Sequence, residues 1–258
     1  MSPSPQAEFA EIAAAEGRAA VVTVVGGEGA QLGAKVLVRE DGSTSGSLGA
    51  SNLDTAAAEL GTSLMWAERS ELHEHEGAQL FVDATAPAPR LVIFGAVDYT
   101  TALCRLARAA GWCPFVCDPR SQFATTERFP EAEAVIQAWP EDAFEQVGID
   151  RATFVAVLTH DPKLDDAALG IALRSEAAYV GAMGSRRAQE KRRERLIAKG
   201  FDEEELDRLA APIGLDLGAS GPEETALSVM AEVVAVRNGR EGGRLRDKQG
   251  GRIHEVGA

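Results

Sequence analysis

From Leu91 onward the chain alternates short, wholly apolar runs with helical segments, and this rhythm constrains the fold more than any other feature. Leu91 to Phe94 is an apolar strand followed at once by a glycine turn and a helix from about Tyr99 to Ala110. Phe115 to Cys117, Ala134 to Gln137, Thr153 to Leu158 and Ala178 to Met183 read as further strands. Helices are expected over Leu164–Ser175, Arg186–Lys199 and Glu223–Arg237. Strands that are apolar throughout, rather than at every second residue, must be buried on both faces. Alternation with helices makes them a parallel sheet with a helical layer on each side. The expected class is therefore α/β, a Rossmann-like domain over residues 90–238.

The residues before it follow a different pattern. A short helix is expected over Glu8–Glu16 and a β-branched strand over Ala19–Val25, broken by Gly26-Gly27-Glu28-Gly29. Lys35–Arg39 and Leu80–Asp83 read as strands, with a helix from near Asn52 to about Leu60. Together these predict a small α+β domain over residues 1–86. Thr85-Ala86-Pro87-Ala88-Pro89 is a stiff connector that suits a domain boundary. The stretch from Gly239 to the end, rich in Gly, Arg and Asp, is expected to be a flexible tail. There is no internal repeat.

The formal net charge of −14 opposes a phosphate backbone and argues against general nucleic-acid binding. No apolar run is long enough to cross a bilayer, and Met1–Gln6 lacks a signal-like pattern, so the expected location is cytoplasmic. Three cysteines (Cys104, Cys113, Cys117) do not suggest a disulfide framework and read as small packing residues. His73 and His75 lie in an acidic stretch and carry little information by themselves.

Ligands of open α/β sheets sit beyond the carboxyl ends of the strands, so the polar residues there are the candidates. The first such turn, Gly95-Ala96-Val97-Asp98-Tyr99-Thr100, keeps only one glycine of the G-x-G-x-x-G pyrophosphate cradle. Val97 stands where a phosphate would lie, and Asp98 can itself cap the helix. Asp118, at the end of the second strand, stands where a ribose-binding acid belongs, so NAD(P) is a possible ligand. Arg120 follows it. Thr159-His160-Asp161 offers binding or proton-transfer groups, with His160 and Asp161 as the catalytic candidates. Asp161 and Asp165 have a plainer reading as helix caps, and no metal site is assigned. Gly184-Ser185-Arg186-Arg187 opens a helix with amides, a hydroxyl and guanidinium groups, which suits a phosphate. Lys191, Arg192, Arg193 and Arg195 read as a solvated helix face. Asp216 and Gly218 lie in the glycine-rich loop before the last helix.

Taken in order, these stretches resemble the XdhC/CoxI family, accessory proteins of molybdenum hydroxylases such as xanthine dehydrogenase and carbon monoxide dehydrogenase. The resemblance rests on LVIFGA at Leu91, DPR at Asp118, ERFP at Glu127, LTHDPKLD at Leu158, YVGAMGSRR at Tyr179 and PIGLDLGASGPEETALSVMAEVVA at Pro212. The Gly46-Ser47-Leu48-Gly49 turn extends it more weakly into the first domain. It implies a factor that binds molybdenum cofactor, works with a cysteine desulfurase during sulfuration, and delivers the cofactor to the apo-hydroxylase, acting as a homodimer. The cofactor would engage Gly95, Asp118, Arg120, Thr159, His160, Gly184, Ser185, Arg186, Asp216 and Gly218. Two runs depart from the family pattern. Ser51 stands near where relatives carry a cysteine, and Gly95-Ala96-Val97-Asp98 replaces Gly-Ala-Gly-His. An NAD(P)-dependent oxidoreductase and a non-catalytic scaffold are the alternatives.

Overall fold

A computed structural model describes residues 3–27 and 31–247. Glu28 and Gly29 of the expected strand break, and the last part of the expected tail, lie outside the described residues. The chain divides into two compact units, Met1–Pro87 and Ala88–Ala258.

The first unit is a five-stranded antiparallel sheet in the order β3-β2-β1-β5-β4. Its strands are β1 (Ala19–Gly26), β2 (Lys35–Arg39), β3 (Thr44–Ser47), β4 (Glu71–His75) and β5 (Ala78–Thr85). Helix α1 (Pro5–Ala14), capped by the Ser4 side chain, covers Ala19, Val21 and Leu37 with Phe9 and Ile12. Helix α2 (Ser51–Ala67) covers the other face, packing Ala57, Leu64 and Met65 against Val22, Val36, Val38, Leu80 and Val82. A Cβ on Gly61 would stand 2.6 Å from a Val38 methyl, so this glycine sets how closely α2 approaches the sheet. That contact also explains why α2 runs on past Leu60, where a mid-segment glycine suggests an end: tertiary packing outweighs a propensity cost of about 1 kcal/mol. Strands β3 and β4 were not expected from the sequence. Both are edge strands of mostly polar residues, with no buried face to impress an apolar pattern.

The second unit is a six-stranded, all-parallel sheet in the order β11-β10-β9-β6-β7-β8. The strands are β6 (Arg90–Phe94), β7 (Cys113–Cys117), β8 (Ala134–Ile136), β9 (Thr153–Val157), β10 (Tyr179–Ala182) and β11 (Leu209–Ala210). Chain order runs outward in one direction from β6 and in the other from β9, so the switch point lies between these two. Helices α3 (Asp98–Ala109) and α8 (Pro222–Arg237) cover one face, over Leu91, Ile93, Phe154 and Tyr179. Helices α4 (Pro140–Val147), α5 (Pro162–Ala172) and α6 (Arg186–Ala198) cover the other, over Val92, Phe94, Val155 and Val157. Every residue of β9 and β10 is buried, the physical reason their sequence shows no polar alternation. Helix α4, the short α7 (Glu203–Asp207) and β11 were also not expected. After α8 the described chain ends in a single 3-10 turn at Leu245–Asp247.

Candidate functional site

The carboxyl edge of the parallel sheet begins at Gly95, whose φ is +114°. A Cβ there would lie 3.0 Å from the Thr159 amide nitrogen, so the ends of β6 and β9 touch at the switch point and leave no room for a side chain. Val97, not Asp98, is the cap residue of α3, and its side chain caps nothing. Asp98 is the first helical residue; its carboxylate is largely exposed and lies 3.5 Å from the Arg128 guanidinium. The expectation that Asp98 closes this turn is therefore corrected. The closing groups come from elsewhere in the fold. Ala96 N donates to Asp118 at 2.8 Å, Arg128 donates to Ala96 O at 3.1 Å, and the Thr100 hydroxyl donates to Gly95 O.

Asp118 is fully buried, and both its oxygens are engaged. Besides Ala96 N, it accepts from the Arg120 amide and Nε, both at 2.9 Å, and from Arg120 Nη2 at 2.7 Å. Burial pushes its carboxyl up, but the Arg120 and Ala96 hydrogen bonds outweigh burial and hold it below the usual carboxylate range. Arg120 in turn lies over the Phe123 ring, 5.0 Å from its centroid, and feels the charge of Asp161 across the switch point.

At the end of β9, Thr159 is buried and its hydroxyl accepts from Asp161 N at 2.9 Å. Asp161 is the cap of α5, accepting from Lys163 N at 2.9 Å, which is the plainer of the two readings of this residue. His160 between them is exposed. Asp165 does not cap. It is buried against Arg192, with Oδ2 2.7 Å from Nη2, while Asp165 Oδ1 and Arg192 Nε are buried without a hydrogen-bond partner. Burial drives the Asp165 carboxyl upward, against the opposing pull of Arg192. Arg192 is therefore no part of a solvated face: it also donates to Met183 O at 3.1 Å and to Gln189, whose amide holds the carbonyls of Ala182 and Gly184 at 3.2 Å. Arg195 and Lys199 pair with Asp166, and Arg193 pairs with Glu203. Lys191 alone of the expected run is simply exposed.

Ser185 caps α6 through Ala188 N at 3.3 Å, and Arg186 and Arg187 are exposed in its first turn. Arg186 lines an open cleft of 470 Å³ with Gly214, Asp216, Gly218, Thr225 and Ser228. The cleft loop is fixed from beneath by Glu232, which accepts from Gly214 N at 2.8 Å and from the Tyr179 hydroxyl. Burial, with Glu232 beside it, pushes Tyr179 far above its ordinary range, so it stays a donor.

The candidate residues thus fall into two groups along one edge. Gly95, Asp118, Arg120, Thr159, His160 and Asp161 surround the switch point. Gly184 and Ser185 lead into the cleft that Arg186, Asp216 and Gly218 line. Sequence reading missed Gln189 and Glu232, and placed the buried Arg192 on a solvated face. Gln189, Arg192 and Leu196 recur at helical spacing on one face of α6, and that spacing was the available signal. Burial pushes the Cys104 and Cys117 thiols up to about 12, so neither offers a thiolate near neutrality. Ser51 opens α2, where the Gly46–Gly49 turn is tied down by Asp54 through Leu48 N at 2.6 Å. Among the described residues no group of three or more His, Cys, Asp and Glu side chains is arranged to hold a metal ion. No described helix is long and apolar enough to cross a membrane.

Comparison with known proteins gives matches in both units. A family described as XdhC Rossmann domain matches residues 91–233, and the XdhC and CoxI family matches residues 12–76. A probable xanthine dehydrogenase subunit from Bacillus subtilis is 30% identical over 165 residues, 64% of this chain and 48% of that protein. The molybdenum cofactor insertion chaperone PaoD of Escherichia coli is 30% identical over 151 residues, 58% of this chain and 41% of PaoD. Among solved structures, a xanthine dehydrogenase from Bacillus halodurans superposes with a TM-score of 0.63 at 26% identity, covering 89% of this chain and 65% of that one. The chain spans less than half the length of these curated relatives.

Proposed function

Since the chain belongs to the XdhC/CoxI family, we propose that it is an accessory factor that binds molybdenum cofactor and assists its sulfuration and insertion into a molybdenum hydroxylase. The observation that carries this reading is the pairing of a phosphate-type helix start with an open polar cleft. The first-turn amides of α6, with Ser185, Arg186 and Arg187, suit the terminal phosphate of a molybdopterin. Asp216, beside Arg186 in the cleft, suits the donor edge of a pterin. His160 and Thr159 at the switch point are the remaining groups we assign to the ligand. When bound, the cofactor would supply the redox and sulfido chemistry; this chain's residues would hold and orient it and exclude water. A relative that is named as a molybdenum cofactor insertion chaperone supports the same assignment. By the same reasoning the partners are a molybdenum hydroxylase and a cysteine desulfurase, and the working form is a homodimer.

The NAD(P)-dependent alternative is weaker on physical grounds. The acid that would hold a ribose has both oxygens committed to Arg120 and Ala96, and the first turn is closed by side chains. The test is purification without added ligand, followed by metal analysis and fluorescence of oxidised pterin, with NAD(P)H titrated in parallel. Pterin retention that is weakened in His160→Ala, with unchanged thermal unfolding, is the expected result. Tight stoichiometric NADPH binding without pterin affinity would overturn the reading.

A further inference from the structure

Strand β4 reads Glu71-Leu72-His73-Glu74-His75, and strand alternation sets Glu71, His73 and His75 on one face. His73 pairs with Leu80 and His75 with Ala78, both buried beneath α2, whereas Leu72 and its partner Phe81 are exposed on the opposite face. The two imidazoles therefore stand on the side of the sheet that α2 covers. A tight hairpin holds them there: Glu76 and Gly77, with φ of 49° and 81°, form the two-residue turn into β5. Where this face meets α2 there is an open depression of 340 Å³ lined by His73, His75, Glu74, Glu59 and Ser63. His73 Nε2 is buried and makes no hydrogen bond. Its nearest charge, Glu71 Oε2 at 3.3 Å, belongs to a carboxylate that Arg69 also engages.

We propose that His73 and His75 form a binding site for a divalent transition metal of the zinc class, with Glu59 as third ligand and water completing the shell. Residues two apart on a strand stand about 6.6 Å apart along it, a span that two imidazoles bridge when each nitrogen lies about 2.0–2.1 Å from a shared ion. Imidazole nitrogen with a carboxylate is the donor set that suits zinc, nickel or copper rather than magnesium or calcium. Glu59, exposed on α2 beside the depression, would have to turn toward the two histidines to complete the set, because among the described residues no three such ligands converge without the ion. Glu59, and Glu71 in part because Arg69 already engages it, offset the added positive charge. This site is independent of the cofactor reading given above.

The test is calorimetric titration of the full chain with zinc in a non-chelating buffer, beside His73→Gln, His75→Gln, Glu59→Gln and His160→Ala. One zinc per chain is expected, with either β4 histidine variant weakening it by about tenfold or more, and His160→Ala leaving it unchanged. Circular dichroism establishes that the variants are folded; β4 is an edge strand, so glutamine is tolerated there. Zinc binding equal in the wild type and the His73→Gln/His75→Gln double variant would overturn the proposal. So would zinc binding that is lost in His160→Ala instead.

Discussion

Asp118 decides what the first turn of the parallel sheet can do. A buried carboxylate is stable only when its charge is met by donors, and here those donors are the Ala96 amide and the whole fork of Arg120. The residue is thus a strut between β7 and the Gly95 turn. Replacing it with asparagine keeps the volume but removes the charge that Arg120 requires. We expect Asp118→Asn to lose about 1.5–3 kcal/mol in urea unfolding, the range for hydrogen bonds to a charged group. The pH dependence has a definite sign. A carboxyl held below its usual value binds fewer protons in the folded than in the unfolded chain, so its contribution is complete above about pH 4. It is lost as pH falls further, through the folded value. Wild type should therefore lose its advantage over Asp118→Asn on acidification, and a constant difference between them from pH 7 to pH 3 would refute this account. The sequence marked Asp118 as important by its place at a strand end. It did not reveal that Arg120, two residues on, folds back to occupy it, because that pairing depends on a turn that no periodicity records.

Among the elements, the legible ones were those that bury two faces. Strands β6, β9 and β10 announce themselves because they are apolar almost throughout, and helices α5 and α6 because their starts carry Asp and Pro or Ser, whereas α4, which also starts with Pro, went unread. Edge strands β3 and β4 and the two-residue β11 left no such trace. Helix α6 is the instructive case. Its basic residues suggest a uniformly solvated surface, yet Arg192 is buried, joined to Asp165 of α5 and to the Met183 carbonyl at the end of β10. This pair links the helix that follows His160 to the turn that precedes Arg186, so it sets the spacing of both candidate groups. Removing one member leaves an uncompensated buried charge. Asp165→Leu or Arg192→Met alone should therefore cost about 3–5 kcal/mol, whereas the double variant should recover most of that loss. A double-mutant cycle by denaturant unfolding measures it. Additive single losses would mean that the two side chains do not act as a pair.

At the scale of the whole molecule, each unit has a buried core of its own. The parallel sheet is closed on both faces by its own helices, and the antiparallel sheet likewise by α1 and α2, with separate sets of buried side chains. Every candidate residue of the cofactor site belongs to the second unit, and the histidine pair of β4 to the first. Folding and binding should then be separable along the chain. Expressed alone, residues 88–258 should unfold cooperatively in urea and keep whatever pterin affinity the carboxyl edge of the sheet provides. Residues 1–87 alone should keep the zinc response and lack the pterin one. The dependence of unfolding free energy on denaturant scales with the surface exposed, so its slope for the longer piece should be about twice that of the shorter. A longer piece that folds cooperatively yet has lost pterin affinity would refute the placement of the cofactor site at the carboxyl edge of the parallel sheet.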